Sequence, residues 1–154
     1  MTKNKYLSFF LIILITFFAS FLGGFVSNAY KEPWYSQIIL PSFNPPSWVF
    51  APVWTILYIM MSISAWRVWN KYFETKLIIV YFVHLIFNAM WSVIFFGFHQ
   101  IFLALVDLSI ILIFIIYLVK IYHTRDKLAY YLMLPYLMWS TFAFFLNLSI
   151  FIIN

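Results

Sequence analysis

Three apolar stretches of the chain each carry a row of polar and aromatic residues at helical spacing. His84, Asn88, Trp91 and Phe95 recur at i, i+4, i+7 and i+11, so they share one face of a helix. A neutral imidazole and a carboxamide are costly in hydrocarbon unless they are paired, so this face should point into a helical bundle. Matching faces occur on two other stretches, formed by Tyr136, Trp139, Ala143 and Asn147 and by Trp54, Tyr58 and Met61.

Apolar walls with a few polar groups favour a binding site for a flat, hydrophobic ligand. A helical rise of about 1.5 Å per residue puts Trp54, Trp91 and Trp139 in the middle or outer half of a hydrocarbon core about 30 Å thick. Interfacial aromatic belts explain Trp66 and Tyr72, which lie beside charges, but the deeper tryptophans do not fit such a belt. Plain core packing of those tryptophans remains the other interpretation.

Several chemistries are excluded or disfavoured by the residues present. The chain has no cysteine, which excludes disulfides, thiolate metal sites and a cysteine nucleophile. His84, His99 and His123 fall at different depths and form no metal triad, and haem ligation by His84 alone is disfavoured. No lysine lies in the middle of an apolar stretch to form a Schiff base, and no GxSxG-type nucleophile is present. The sequence therefore predicts no metal site and no catalytic residue.

Asp107 is the only ionisable residue besides histidine in the apolar run from 77 to 119. An acid inside a membrane is a functional candidate by default, and a proton relay is one interpretation. The residue lies about one turn below the expected turn at 97–100, where it can be hydrated or can accept hydrogen bonds. A structural or lid-tethering role is therefore the favoured interpretation.

The composition determines the class of protein. Hydrophobic residues make up 66% of the 154 residues and charged residues 8%, which is more apolar surface than a soluble protein can bury. We therefore predict an all-α integral membrane protein, with residues 1–154 forming one domain. Five transmembrane helices are expected, at about 6–30, 47–65, 77–96, 101–122 and 128–152. Pro135 is expected to kink the last helix. A cleaved signal peptide is the alternative for the first helix, but its apolar run exceeds the roughly 7–15 residues of such signals.

The positive charges are distributed unequally between the two ends of these helices. Only Lys31 lies on one side, while eight of the nine Lys and Arg residues lie on the other. The positive-inside rule then predicts a cytoplasmic N-terminus and an outside C-terminus, in a bacterial inner (cell) membrane. The net charge of +5 thus reflects membrane topology, and no nucleic-acid partner is predicted. The eight residues are Lys3, Lys5, Arg67, Lys71, Lys76, Lys120, Arg125 and Lys127.

The segment from 33 to 58 carries five of the six prolines and three of the seven tryptophans. Trp34 to Leu40 is predicted to form a short interfacial helix. Pro41, Pro45 and Pro46 each remove a backbone donor and stiffen the chain. We therefore predict a rigid loop between the first and second spanning helices that acts as a lid over the pocket.

Four segments give the chain a resemblance to a known family. They are PWY from Pro33, LPSFNPPSWVFAPVWTILY from Leu40, HLIFNAMWSVIFF from His84 and PYLMWSTFAFFLNLSI from Pro135. In this order they resemble the translocator protein family, also called tryptophan-rich sensory proteins or peripheral benzodiazepine receptors. The resemblance covers the whole chain. It implies five membrane helices, commonly a homodimer, and binding of porphyrins, haem-related tetrapyrroles, sterols or benzodiazepine-type ligands beneath the first loop.

The resemblance also assigns roles to individual residues. It implies that Trp54, Asn88, Trp91 and Trp139 line the ligand site and that Trp34 is the lid tryptophan. His84 stands where the family usually has Gln, which could alter hydrogen bonding or add pH sensitivity. The family's C-terminal sterol motif has no counterpart in the last residues, IFIIN, so sterol binding is disfavoured.

Three functions are carried forward from these observations. The first is a non-catalytic membrane protein that binds porphyrin-type tetrapyrroles as sensor, regulator or carrier and requires no cofactor. The second is an enzyme for light-dependent porphyrin degradation, in which Trp54 and Trp139 would carry the chemistry. The third is a small transporter of tetrapyrroles or sterols, for which five helices without inverted repeats give weak support. The lack of an acid/base constellation favours the first.

Overall fold

The computed structural model describes residues 4–154, and Lys3, one of the predicted inner-side cations, lies outside that range. Within it the chain is helical and contains no strand, which confirms the all-α prediction. The α-helices are α1 (Lys5–Tyr30), α2 (Trp34–Gln37), α3 (Ser47–Tyr72), α4 (Thr75–Ser92), α5 (Ile101–Arg125) and α6 (Lys127–Ile153). Directly after α4 the chain continues as a π-helical turn at Val93–Gly97.

Five of these helices are long and apolar enough to cross a membrane. Counting the π-turn with α4, they contain 23 to 27 residues each. Even the shortest extends for about 35 Å at 1.5 Å per residue, against a hydrocarbon core of about 30 Å. The five-helix prediction is confirmed.

Two predicted boundaries were wrong. The second spanning helix does not end near residue 65, because α3 continues to Tyr72 and ends where Phe73 adopts a left-handed φ of 50°. The charged residues in this stretch do not interrupt a helix, since cations near a C-terminus interact favourably with the helix dipole. The short helix α2 ends at Gln37 rather than at Leu40. There the backbone of Ile39 pairs with the side chain of Asn154 instead of continuing the helix.

The five spanning helices close into a ring. Helix α1 lies between α3 and α4, α6 packs against α3 and α5, and α5 packs against α4. Side-chain hydrogen bonds join neighbours, as between Thr16 of α1 and Tyr81 of α4 at 2.8 Å. Ser64 of α3 likewise donates to the carbonyl of Ala129 in α6 at 2.7 Å. Packing and such bonds hold helices together in lipid, where burial from water gives little.

An ion pair ties α3 to the start of α6 at the end of the bundle opposite α2. The Arg67 guanidinium donates to both carboxylate oxygens of Asp126, at 3.1 and 3.0 Å. Asp126 also caps α6 by accepting from the Ala129 N–H at 2.9 Å. The hydrogen bonds from Arg67 hold the pKa of the Asp126 carboxyl below its usual value. This connection fixes one end of the ring, while the other end encloses a cavity.

Candidate functional site

A cavity of about 500 Å³ lies between the helices in the half of the bundle nearest α2. This volume falls within the range of small-molecule sites in proteins. All five spanning helices contribute to its wall, and Tyr35 of α2 contributes as well. The wall is mostly apolar and aromatic, with a few hydroxyl and amide groups.

Six of the eight predicted ligand-binding residues line this cavity: Trp54, Tyr58, Asn88, Trp91, Trp139 and Ala143. The other two do not. His84 lies below the cavity, packed against Tyr136 with ring centroids 5.4 Å apart. Trp34 packs edge-on against Phe95 and stacks on His99, with centroids 4.6 Å apart and planes 16° from parallel. The ligand-binding role of all eight residues remains a prediction.

The aromatic residues of the wall contact one another in pairs. The rings of Trp91 and Phe95 stack within α4 and its π-turn, at 4.9 Å and 15°. On the other side, Trp54 lies 5.6 Å from Tyr58. Trp139 is edge-on to Phe50 at 6.0 Å. The indole rings from three helices thus border one space, as the spacing of the residues predicted.

A chain of hydrogen bonds forms the floor of the cavity. The Tyr58 hydroxyl donates to Asn88 Oδ1, and Asn88 Nδ2 donates to the Tyr136 oxygen at 2.9 Å. Tyr136 Oη lies 2.6 Å from His84 Nε2, and His84 Nδ1 lies 3.1 Å from the Tyr81 carbonyl. All of these side chains are buried. The chain therefore connects the cavity to the backbone of α4.

The geometry assigns a direction to every bond in this chain. A carbonyl can only accept, so the Tyr81 carbonyl requires the proton of a neutral His84 imidazole on Nδ1. His84 Nε2 is then an acceptor, and the Tyr136 hydroxyl donates to it. His84 is thus linked to the cavity through Tyr136 and Asn88.

Asn147 contacts two further helices from the wall of the cavity. Its Oδ1 accepts from Trp91 Nε1 at 3.1 Å, and its Nδ2 donates to the carbonyl of Ile101 at 3.1 Å. It thereby joins α6 to both α4 and α5. Sequence reasoning placed Asn147 on the correct face but did not select it as a site residue. Its position on the same helical face as Trp139 was the sequence feature that could have identified it.

Two buried donors in the wall, Trp139 Nε1 and Ser140 Oγ, have no hydrogen-bond partner within the part of the chain that the structure describes. Trp139 Nε1 is inaccessible and makes no hydrogen bond there. A buried N–H without an acceptor is rare, because leaving it unpaired costs free energy. The ring of Trp139 thus borders the cavity, while its Nε1 atom is covered by the surrounding protein.

Sequence reasoning selected no residue of α1 for the site. Ser20, Gly23, Gly24, Ser27 and Asn28 all line the cavity. A Cβ at Gly23 would come within 3.2 Å of the Ser92 hydroxyl, so this glycine does permit close packing. At Gly24, by contrast, a Cβ would meet nothing within 4 Å. The sequence feature that could have identified these residues is a row of small and polar residues at helical spacing.

The remaining predicted residues, Pro45, Pro46 and Asp107, do not line the cavity. The two prolines directly precede α3. Asp107 is only 4% exposed, and its Oδ2 atom has no hydrogen-bond partner among residues 4–154. The lid-tethering role of this residue remains a prediction.

The segment between α1 and α3 is held to the bundle at several points. Lys31 Nζ donates to the Ser47 hydroxyl at 3.3 Å and lies 4.7 Å above the Tyr35 ring. Burial raises the pKa of the Tyr35 phenol, so the ring is neutral at physiological pH. At the other end, Asn154 pairs with both backbone groups of Ile39, at 2.8 and 3.0 Å. These last contacts join residues 115 positions apart and had no sequence signal.

Comparison with known proteins agrees with this architecture. The chain matches the model of the TspO/MBR family over residues 11–153. It is 34% identical over 145 residues to the Tryptophan-rich protein TspO of Archaeoglobus fulgidus, covering 92% of this chain and 94% of that protein. It is also 34% identical over 156 residues to the Tryptophan-rich protein TspO of Chlorobaculum tepidum, covering 99% of both. Identity to the Translocator protein of Homo sapiens is 34% over 135 residues, covering 82% of this chain and 80% of that protein. The chain therefore belongs to the TspO/MBR family and is an integral membrane protein.

Proposed function

We propose that this protein binds porphyrin-type tetrapyrroles in the cavity between its helices and acts as a sensor, regulator or carrier. The observation that carries the proposal is the cavity of about 500 Å³ bordered by the indoles of Trp54, Trp91 and Trp139. Flat macrocycles stack favourably on such rings.

The segment between α1 and α3 acts as the lid in this proposal. Trp34 and Tyr35 of α2 both pack against Phe95, and Tyr35 also lines the cavity. Pro45 and Pro46 would limit the movement of the segment by fixing their own backbone angles. A lid of this kind would exclude water from the bound ligand.

The proposal extends to the setting of the protein. We place it in a bacterial inner membrane with the N-terminus in the cytoplasm, because the helix ends that flank the α3–α4 and α5–α6 connections carry most of the cations. We also propose a homodimer. Relatives are named Translocator protein and Tryptophan-rich sensory protein, names that fit either carriage or sensing in those proteins.

Titration of the purified protein with protoporphyrin IX tests the binding proposal. The absorption change of the porphyrin should be saturable, and Trp139→Phe should weaken the affinity because phenylalanine offers a smaller ring surface than indole for stacking on the macrocycle. Trp48→Phe is the matched control, since Trp48 is 74% exposed and does not line the cavity. An absorption change that never saturates with the wild-type protein would refute the proposal.

Light-dependent degradation of the porphyrin is the second candidate function. The position of the Trp139 indole in the cavity wall favours it, because a bound macrocycle would contact an oxidisable ring directly. The same titration repeated in light and in darkness distinguishes the two functions. Loss of porphyrin absorption that needs both light and Trp139 supports the enzyme, whereas stable absorption supports the sensor or carrier.

A further inference from the structure

One charged side chain lines the cavity in the region that the structure describes. Of the residues in the wall, only Lys31 carries a formal charge. It is the C-cap residue of α1 and is partly buried. It stands at the end of a polar stripe on α1 that begins at Ser20, roughly 16 Å away along the helix axis. The cavity is therefore apolar in its depth and cationic at one edge.

The surroundings of Lys31 contain hydrogen-bonding groups, and the carboxylate nearest to it in the chain belongs to Glu32. Its Nζ donates to Ser47 across the gap between α1 and α3, and Ser27 and Asn28 lie one turn earlier on α1. The neighbouring Glu32 is exposed and forms no ion pair with it within residues 4–154. A partly buried cation that lacks a carboxylate partner is suited to bind one from a ligand.

A simpler reading is that Lys31 only stabilises the end of α1 through the helix dipole. That role needs the ammonium near the last carbonyl groups of the helix. Its described contacts are instead with Ser47 on α3 and with the ring of Tyr35 on α2. The side chain therefore spans the edge of the cavity.

We propose that Lys31 binds a carboxylate of the ligand at the edge of the cavity, assisted by the hydroxyl of Ser47 and the amide of Asn28. The ligand is thereby oriented, with its ring among the tryptophans and its acid group toward α2. This inference rests on the proposed function and narrows it to flat macrocycles that carry free carboxylates. An esterified porphyrin or a neutral sterol lacks the group that Lys31 binds.

The experiment compares protoporphyrin IX with its dimethyl ester, which differs only in its two acid groups. Wild-type protein should bind the diacid about tenfold more tightly than the ester at low salt. Lys31→Met should abolish that preference by weakening the diacid alone, and Lys31→Arg should retain most of it. Lys127→Met is the control, because Lys127 is exposed at the opposite end of the bundle. Added salt should reduce the preference of the wild type, since it screens an interaction near the surface.

Three results would overturn the inference. Equal wild-type affinity for the two porphyrins would show that no carboxylate is recognised, whether or not any variant folds. An equal loss for both porphyrins in Lys31→Met would assign the lysine a structural role at the end of α1. If Lys31→Met changed neither affinity, a group other than Lys31 would have to be responsible for the tighter binding of the diacid. The first result leaves tetrapyrrole binding intact, whereas failure of both porphyrins to bind would refute the proposed function itself.

Discussion

Replacing Tyr136 by phenylalanine isolates the contribution of the polar floor of the cavity. The substitution removes one oxygen and keeps the ring that packs against Trp54 and His84, at centroid distances of 6.2 and 5.4 Å. That oxygen accepts from Asn88 and donates to His84. Tyr136 is fully buried, so water cannot take over either bond.

The expected cost follows from the two bonds that are lost. Hydrogen bonds between membrane helices contribute about 0.6 kcal/mol on average and up to about 1.7 kcal/mol. Two of them give a loss of about 1 to 3 kcal/mol in the free energy of unfolding. Each 1.4 kcal/mol changes an equilibrium constant about tenfold, so the ratio of folded to unfolded protein should fall by a factor of roughly 5 to 150.

Reversible unfolding in mixed micelles of increasing SDS content measures this difference. Tyr131→Phe is the matched control, because Tyr131 is 59% exposed on the same helix and should tolerate the change. If the chain of bonds is real, His84→Ala should also cost less in the Tyr136→Phe background than in the wild type. Equal stability of the two Tyr→Phe variants, or strict additivity with His84→Ala, would refute the reasoning.

Three further predictions follow from other contacts. Nitrogen-15 NMR should find the proton of His84 on Nδ1 because Nδ1 faces a carbonyl, and a protonated Nε2 would contradict the assigned direction. Asp126→Asn should lower stability at neutral pH, because Arg67 holds the pKa of this carboxyl below its usual 3.8 in the folded state. The deficit should be full above about pH 4 and should shrink as pH falls through the lowered pKa, so a deficit unchanged at low pH would be inconsistent with the ion pair. Asn147→Leu should cost about 1 to 2 kcal/mol in an unfolding titration, since it leaves Trp91 Nε1 unpaired and removes the bond to the Ile101 carbonyl of α5. A variant as stable as the wild type would show that these bonds contribute little.

The spanning helices were predictable because hydrocarbon allows few alternatives. A segment that crosses about 30 Å without water must satisfy its own backbone hydrogen bonds, so long apolar runs form helices. The end of α3 was not predictable in the same way. Arg67 and Lys71 suggested a polar connection, but Arg67 remains in the helix and pairs with Asp126, which lies 59 positions away. Charge marks the edge of the membrane more reliably than the end of a helix.

Helical spacing also identified the inward faces of three helices, and six of the eight selected residues do line the cavity. Helical spacing could not show which of His84 and Trp91 borders the cavity, because both lie on the same face of α4. Only Trp91 borders the cavity, because the ring of Tyr136 packs against His84. The rotation and depth of each helix against its neighbours decide this, and they depend on contacts between distant residues.

The sequence by itself determined that this is a membrane protein of five helices with aromatic faces turned inward, because hydrophobicity and periodicity are local properties of the chain. The tertiary structure decided which groups meet: His84 with Tyr136, Asn147 with Trp91, and Lys31 with Ser47. It also brought the small residues of α1 into the wall of the cavity. Which side chains contact each other depends on the order of the helices around the bundle. That order arises from packing and hydrogen bonding across the whole chain.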